Sequence, residues 1–279
     1  MIRTSLRPYY MFGTLIAALL AVTAAAGLFI EGLYRPFLSE PLVAFQFFQD
    51  LISLIFAPLL VAAMYLSSRG SLRAFVIWAG LLVYVVYYYA FYAFGFVYTM
   101  FYPLYLALIG LATYSLIGLL AAVDLEAFRT RASERMPVRF IGVVLGMAVL
   151  FVPIWLSMMV QRIAAQQAGE TDLVFVFDLC FLIPAIVLAA VQIWWRRPVG
   201  YLLSGILLIK ATISGLLLTG GEFLKMQRGL PPALDQLAMY VFLGIAGLLG
   251  LVLYMRNLHD QPAQAFRREV PRSLSQTRV

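Results

Sequence analysis

The sequence predicts an all-α integral membrane protein with eight transmembrane helices and both termini in the cytoplasm. Hydrophobic residues make up 63% of the 279 residues and charged residues only 12%. The mean hydropathy is +0.93. A water-soluble globule of this size needs more polar surface than such a composition supplies. The chain is therefore expected to lie in a bilayer, with membrane lipid as its first partner.

Eight apolar stretches are long enough to cross the membrane. A hydrocarbon core about 30 Å thick needs roughly 20 residues of helix at about 1.5 Å per residue. Arg3 and Arg7 precede the first stretch as they would in a signal peptide, but its apolar run is longer than a typical signal sequence, so we predict a retained helix. We predict one polytopic domain over 1–279, with a basic cytoplasmic tail over 257–279 and spans near 10–34, 43–65, 74–97, 102–123, 138–160, 173–195, 199–220 and 237–255.

The positive charges alternate between the two sides of the predicted membrane. Fifteen of the twenty basic residues fall on the side of the termini, and the positive-inside rule therefore predicts that this side faces the cytoplasm. The membrane is predicted to be the inner (plasma) membrane of the cell. The net charge of +7 follows from this asymmetry and requires no nucleic-acid partner. Those residues are Arg3, Arg7, Arg69, Arg73, Arg129, Arg131, Arg135, Arg139, Arg196, Arg197, Arg256, Arg267, Arg268, Arg272 and Arg278, and the opposite side holds Arg35, Arg162, Lys225 and Arg228.

Cysteine and histidine are almost absent, which restricts the chemistry available. One cysteine, Cys180, cannot form an internal disulfide, and one histidine, His259, lies beyond the last predicted span. Bis-histidine haem ligation and a histidine-based zinc site within the membrane are therefore excluded. We predict no cofactor, no metal site and no catalytic residue.

Ionisable residues inside the spans mark the predicted site. Each costs a few kcal/mol to insert and needs a partner, a water-filled cavity or a function. Asp50 lies about eight residues, or roughly 12 Å, from the outer end of its span, and Asp178 lies about six residues, or roughly 9 Å. Lys210 lies just beyond the midplane and can extend outward along its helix to the level of either aspartate. Glu31 lies close to the outer boundary, so the deep charges are expected to gather in the outer half of the bilayer.

Other polar side chains fall at the same depth. Gln46, Asp50 and Ser53 share one face of the second span, flanked by Gln49. The third span carries two aromatic stripes in YVVYYYAFYAFGFVY, and its deep tyrosines need partners for their hydroxyls. We predict that a ligand site contains Asp50, Asp178, Lys210, Gln46, Gln49, Ser53, Tyr84, Tyr87, Tyr88 and Glu31. The alternative is a buried ion pair between Lys210 and one of the two aspartates that only fixes helix packing.

The chain also divides into two halves of four spans with parallel orientation. Aligning Pro58 with Pro184 brings Asp50 and Asp178 near equivalence, allowing a two-residue gap, and places Tyr84 opposite Lys210. Parallel repeats of this kind build central sites where their equivalent helices meet. An internal 4+4 repeat is therefore predicted.

Three functional hypotheses follow. The first is a binding or transport protein whose tyrosine-lined cavity takes a small solute or an ion from the outer side. The second is a membrane-embedded enzyme acting on a lipid or isoprenoid, using the two carboxylates and the lysine for acid/base chemistry. No reaction-specific motif supports the second hypothesis, so we favour a protein without catalytic activity. The third is a non-catalytic subunit of a larger membrane complex or homo-oligomer.

Overall fold

Eight helices in the computed structural model are long and apolar enough to cross a membrane, as predicted. The structure describes residues 6–260, so Arg3 and most of the predicted tail over 257–279 lie outside the described residues. Within residues 6–260 a further helix, α5, has five residues and is too short to span a membrane. The helices are α1 (Arg7–Phe29), α2 (Glu40–Ser68), α3 (Leu72–Phe94), α4 (Tyr102–Ala122), α5 (Leu125–Arg129), α6 (Val138–Ala165), α7 (Leu173–Trp194), α8 (Pro198–Gln227) and α9 (Leu234–Arg256).

Helix starts follow from local sequence. Proline is favoured in the first turn of a helix, because the N–H groups there have no helical acceptor and the missing N–H of proline breaks no hydrogen bond. Its fixed φ angle also suits a helix. The start of α3 is capped instead by Ser71, whose hydroxyl accepts a hydrogen bond from the Ala74 N–H. Prolines occupy the first turns of α1, α2, α4 and α8, as Pro8, Pro41, Pro103 and Pro198.

Several helix ends differ from the approximate limits predicted for the spans, among them the ends of the first, third and seventh. The first helix ends at Phe29 rather than residue 34, because the chain turns through Gly32 with φ of +72°. The third ends at Phe94 rather than residue 97, where the N–H of Gly95 closes the last turn on Phe91. The seventh span continues past residue 220 to Gln227. The first and third corrections change the surroundings of buried charges described below.

Helix α3 is the most enclosed span, because 72% of the residues in its most apolar 18-residue stretch are buried. In α6 the corresponding share is only 11%. The helices α1 to α4 pack in a ring in which each contacts the next and α1 also contacts α4. The helices α6 to α9 repeat this pattern, with α6 contacting α9. The two groups meet where α8 packs against α2 and α3, so α3 and α8 lie at the centre of the molecule.

Small residues allow α8 and α9 to approach closely. A Cβ atom at Gly215 would overlap the backbone of Gly244, and one at Gly247 would press on Thr212. Close backbone approach of this kind is the usual role of glycine in membrane helices. The glycines of the segment GIAGLLG, residues 244–250, therefore serve the packing of α9 against α8.

The segment after α9 contacts the start of α3 at one face of the bundle. The Asp260 carboxylate accepts hydrogen bonds from the Leu72 N–H at 2.7 Å and from the Ser71 hydroxyl at 3.0 Å. Arg73 donates from Nε to the carbonyl of Leu258 at 2.8 Å. The segment after α9 is thereby attached to the start of α3.

Candidate functional site

Asp50 is enclosed between α1, α2 and α3, with 1% of its surface exposed. Its Oδ2 accepts from the Tyr34 hydroxyl at 2.7 Å, and its Oδ1 accepts from the Tyr92 hydroxyl at 3.2 Å. Tyr34 reaches this position because α1 ends early and the following turn folds back over the carboxylate. Gly27 makes the room, since a Cβ atom there would overlap both the Asp50 carboxylate and the Tyr34 hydroxyl.

Further tyrosines of α3 complete this side of the site. The Tyr84 hydroxyl is hydrogen-bonded to Ser53, and the Tyr89 hydroxyl to Thr23 at 3.0 Å. The rings of Tyr89 and Tyr92 stack with centroids 5.3 Å apart. Each of these hydroxyls therefore has a protein partner, as a dry environment requires.

Asp178 occupies a separate position between α3, α6 and α7, and it is half-buried. Its Oδ1 accepts from the Tyr87 hydroxyl at 2.6 Å, and its Oδ2 accepts from Trp155 Nε1 at 3.1 Å. Asp178 is the first residue of a π-helical turn over Asp178–Leu182. This wide turn lies just before Pro184, which removes a helical donor, and such turns recur at functional sites.

Lys210 lies beside Tyr87 and Tyr88 of α3, and it is 4% exposed. Its Nζ is 3.5 Å from the centroid of the Tyr87 ring and 5.5 Å from that of Tyr88. Among the described residues no carboxylate oxygen lies within 4.0 Å of this ammonium. The Tyr88 hydroxyl donates to Ser214 at 2.9 Å, and Ser214 in turn donates to the Lys210 carbonyl at 2.9 Å. The ammonium is thus held by aromatic faces rather than by an ion pair.

The predicted residues therefore form two groups rather than one. The first contains Asp50, Ser53 and Tyr84. The second contains Asp178, Lys210, Tyr87 and Tyr88. The rings of Tyr84 and Tyr88, with centroids 5.0 Å apart, link the two groups. We name the second group the Lys210 site.

Three predicted residues do not join either group. Glu31 is exposed in the turn after α1. Gln46 is half-buried and makes no hydrogen bond to these groups in the described chain. Gln49 is buried, but its Nε2 has no hydrogen-bond partner in the structure. Gln46 shares the face of Asp50 and Gln49 flanks it, but neither position was sufficient to place the glutamine in the hydrogen-bond network of Asp50.

A buried ion pair is present in the molecule, but elsewhere. Lys225 Nζ donates to Glu222 Oε1 at 2.9 Å, and the two side chains are 11% and 3% exposed. The other oxygen of Glu222 accepts from the Ala233 N–H at 3.2 Å. This pair lies in the last turns of α8, beyond the predicted end of the span.

Tyr34, Tyr92, Trp155 and Ser214 are among the residues of the two groups that sequence reasoning missed. Tyr92 belonged to a predicted stripe with Tyr84, and Ser214 lies four residues after Lys210, so helical spacing could have indicated both. Nothing local in the sequence indicates Tyr34 or Trp155, because each reaches its aspartate from another segment of the chain.

Within the described part of the chain, no three histidine, cysteine, aspartate or glutamate side chains come together as metal ligands. Comparison with known protein families, with curated proteins and with solved structures gave no match. The function is therefore argued from the geometry of the two groups.

Proposed function

We propose that the protein lies in an inner (plasma) membrane and binds a small solute at the Lys210 site. Binding there would serve either to transport the solute across the membrane or to sense it. The observation that carries this proposal is the separation of opposite charges in one place. The Lys210 ammonium rests on the face of the Tyr87 ring, while the hydroxyl of the same ring donates to Asp178. A structural ion pair would bring the ammonium and the carboxylate into contact, and here a phenol stands between them.

The chemistry of the site favours a solute that carries a carboxylate, alone or together with an amine. A solute carboxylate could take the ammonium from the Tyr87 face, because a charge-assisted hydrogen bond is stronger than a cation–π contact. Asp178 is half-buried and could accept from a solute amine. The aromatic side chains of Tyr87 and Trp155 would then enclose the apolar part of the solute.

We further propose that the site faces the outer side and that the chain is a parallel repeat. The excess of arginine in the segments predicted to lie on the side of the termini supports the orientation. The two four-helix groups share one pattern of neighbours, and Asp50 and Asp178 each accept from two aromatic donors. These similarities support the predicted equivalence of the two aspartates.

The proposal is tested with Lys210→Met in purified protein. Thermal unfolding is measured with and without each amino acid and short mono- and dicarboxylate at millimolar concentration. A ligand at 100 times its Kd stabilises the wild-type protein by about 2.7 kcal/mol. We expect Lys210→Met to lose this stabilisation while its melting temperature without ligand stays the same or rises, since a buried charge without an ion-pair partner has been removed.

The matched control is the double variant Glu222→Gln/Lys225→Met, which removes the only other lysine together with its partner. It should keep the ligand-induced shift. Two results contradict the proposal. One is that no probe stabilises the wild-type protein. The other is that Lys210→Met lowers the baseline stability and that adding Asp178→Asn restores it, which would identify a structural pair.

A further inference from the structure

The carboxyl group of Asp50 is buried without any positive charge beside it. It lies ten residues from the start of α2, or about 15 Å along the helix. Among the described residues, no lysine, arginine or histidine nitrogen lies within 4.0 Å of its oxygens. An isolated carboxylate in an apolar environment is among the most costly groups to bury, and a protein avoids that cost by neutralising it. This group is not used by the Lys210 site.

Every element packed around Asp50 presents a neutral group to it. Helix α1 contributes Gly27, and the turn after it contributes a phenol. Helix α3 contributes further phenols, and α4 contributes one whose ring lies 4.7 Å from that of Tyr92. Among residues 6–260, the titratable groups around the carboxyl are therefore tyrosines: Tyr34, Tyr84, Tyr89, Tyr92 and Tyr105.

We propose that Asp50 is a proton-binding site and is a neutral carboxylic acid in this conformation, sealed by the turn that carries Tyr34. The Tyr34 hydroxyl donates to Oδ2 at 2.7 Å, which makes Oδ2 the carbonyl oxygen of the acid. The Tyr92 hydroxyl lies 3.2 Å from Oδ1 and donates to it when Asp50 is a carboxylate. In the neutral acid Oδ1 carries the proton, so this bond reverses and Oδ1 donates to the Tyr92 hydroxyl oxygen. A tyrosine hydroxyl can act as donor or acceptor, so both bonds are satisfied with the acid neutral.

A metal cation does not fit the same place. Oxygen ligands surround a bound sodium- or calcium-sized ion at about 2.3–2.6 Å and in numbers of six or more. Here both carboxyl oxygens are already hydrogen-bonded to phenols, and the space beside Gly27 is filled by the Asp50 carboxyl and the Tyr34 hydroxyl. A proton occupies no additional volume.

The test is infrared spectroscopy of the full-length protein at neutral pH, without any solute. The wild-type protein should show a carboxylic-acid C=O stretch that shifts in deuterated water, and Asp50→Asn should lose that band. Asp178→Asn is the matched control and should keep it, since Asp178 is half-buried and belongs to the other group. A band that persists in Asp50→Asn, or that is absent from the wild-type protein, overturns the proposal.

A second variant covers the case in which Asp50→Asn does not fold. Tyr34→Phe keeps the aromatic ring and removes the hydroxyl that donates to Oδ2, so the C=O band should move to higher frequency without disappearing. An unmoved band overturns the assignment to Asp50. Loss of the wild-type band on adding sodium at constant pH would instead assign the site to a metal cation. Because no solute is involved, failure here leaves the proposal for the Lys210 site unaffected.

Discussion

Replacing Lys225 with methionine should destabilise the protein more than any other loss of one positive charge in the described chain. The substitution leaves the Glu222 carboxylate, 3% exposed, without its partner at 2.9 Å. Removing one member of a buried ion pair costs about 3–5 kcal/mol, because the remaining charge stays buried and uncompensated. One kcal/mol corresponds to about 2–4 °C in a chain of 150–250 residues, so we expect the melting temperature to fall by roughly 10 °C.

The assay is a double-mutant cycle of thermal unfolding in detergent. Glu222→Gln keeps an oxygen that can accept from the Ala233 N–H, so Glu222→Gln/Lys225→Met removes both charges without leaving that donor unpaired. We expect the double variant to recover most of the lost stability, with a coupling energy of at least about 2 kcal/mol. A single Lys225→Met variant as stable as the double variant would refute the reasoning, since the glutamate would then not depend on the lysine.

Two further substitutions test the packing of the central helices. Gly215→Ala should destabilise the protein by about 1–3 kcal/mol, because its Cβ would overlap the backbone of α9. The control is Gly146→Ala, whose Cβ meets no atom within 4 Å and which should be neutral or stabilising. Equal thermal stability of the two variants would contradict the α8–α9 contact. Tyr84→Phe should lower the free energy of unfolding by about 1–3 kcal/mol, because it leaves the buried Ser53 hydroxyl unpaired. Tyr114→Phe, at an exposed residue, is the neutral control. Equal free energies of unfolding for these two variants, measured by chemical unfolding, would argue against the hydrogen bond.

Hydropathy and length were sufficient to predict the eight spans, because each membrane helix must be apolar over about 20 residues. They were less informative about where a helix ends. Helix α8 continues through Glu222 and Lys225, whose charges compensate each other one turn apart, although a simple hydropathy argument stops before them. Conversely, α1 stops at Phe29 although apolar residues follow it. The α8 boundary involves a pair of side chains and the α1 boundary a backbone turn at Gly32, and mean hydropathy encodes neither.

The depth of the charged residues could be estimated from their positions in the spans, but their neighbours could not. Helical spacing predicts which residues share a face of one helix, and it does not predict which helix that face meets. Asp50 and Asp178 lie in different groups because α3 presents Tyr92 to one and Tyr87 to the other. The contact of Tyr34 with Asp50 requires the turn after α1 to fold back, which only the tertiary structure reveals.

The two lysines of the chain have a practical consequence for chemical labelling. Lys210 and Lys225 are 4% and 9% exposed, so neither ammonium is open to an amine-reactive reagent in this conformation. Lysine labelling of the folded protein should therefore be slow, and any rapid modification of Lys210 must pass through a conformation in which it leaves the Tyr87 ring. The rate of its modification, read by mass spectrometry, would thus measure how often the centre of the bundle opens.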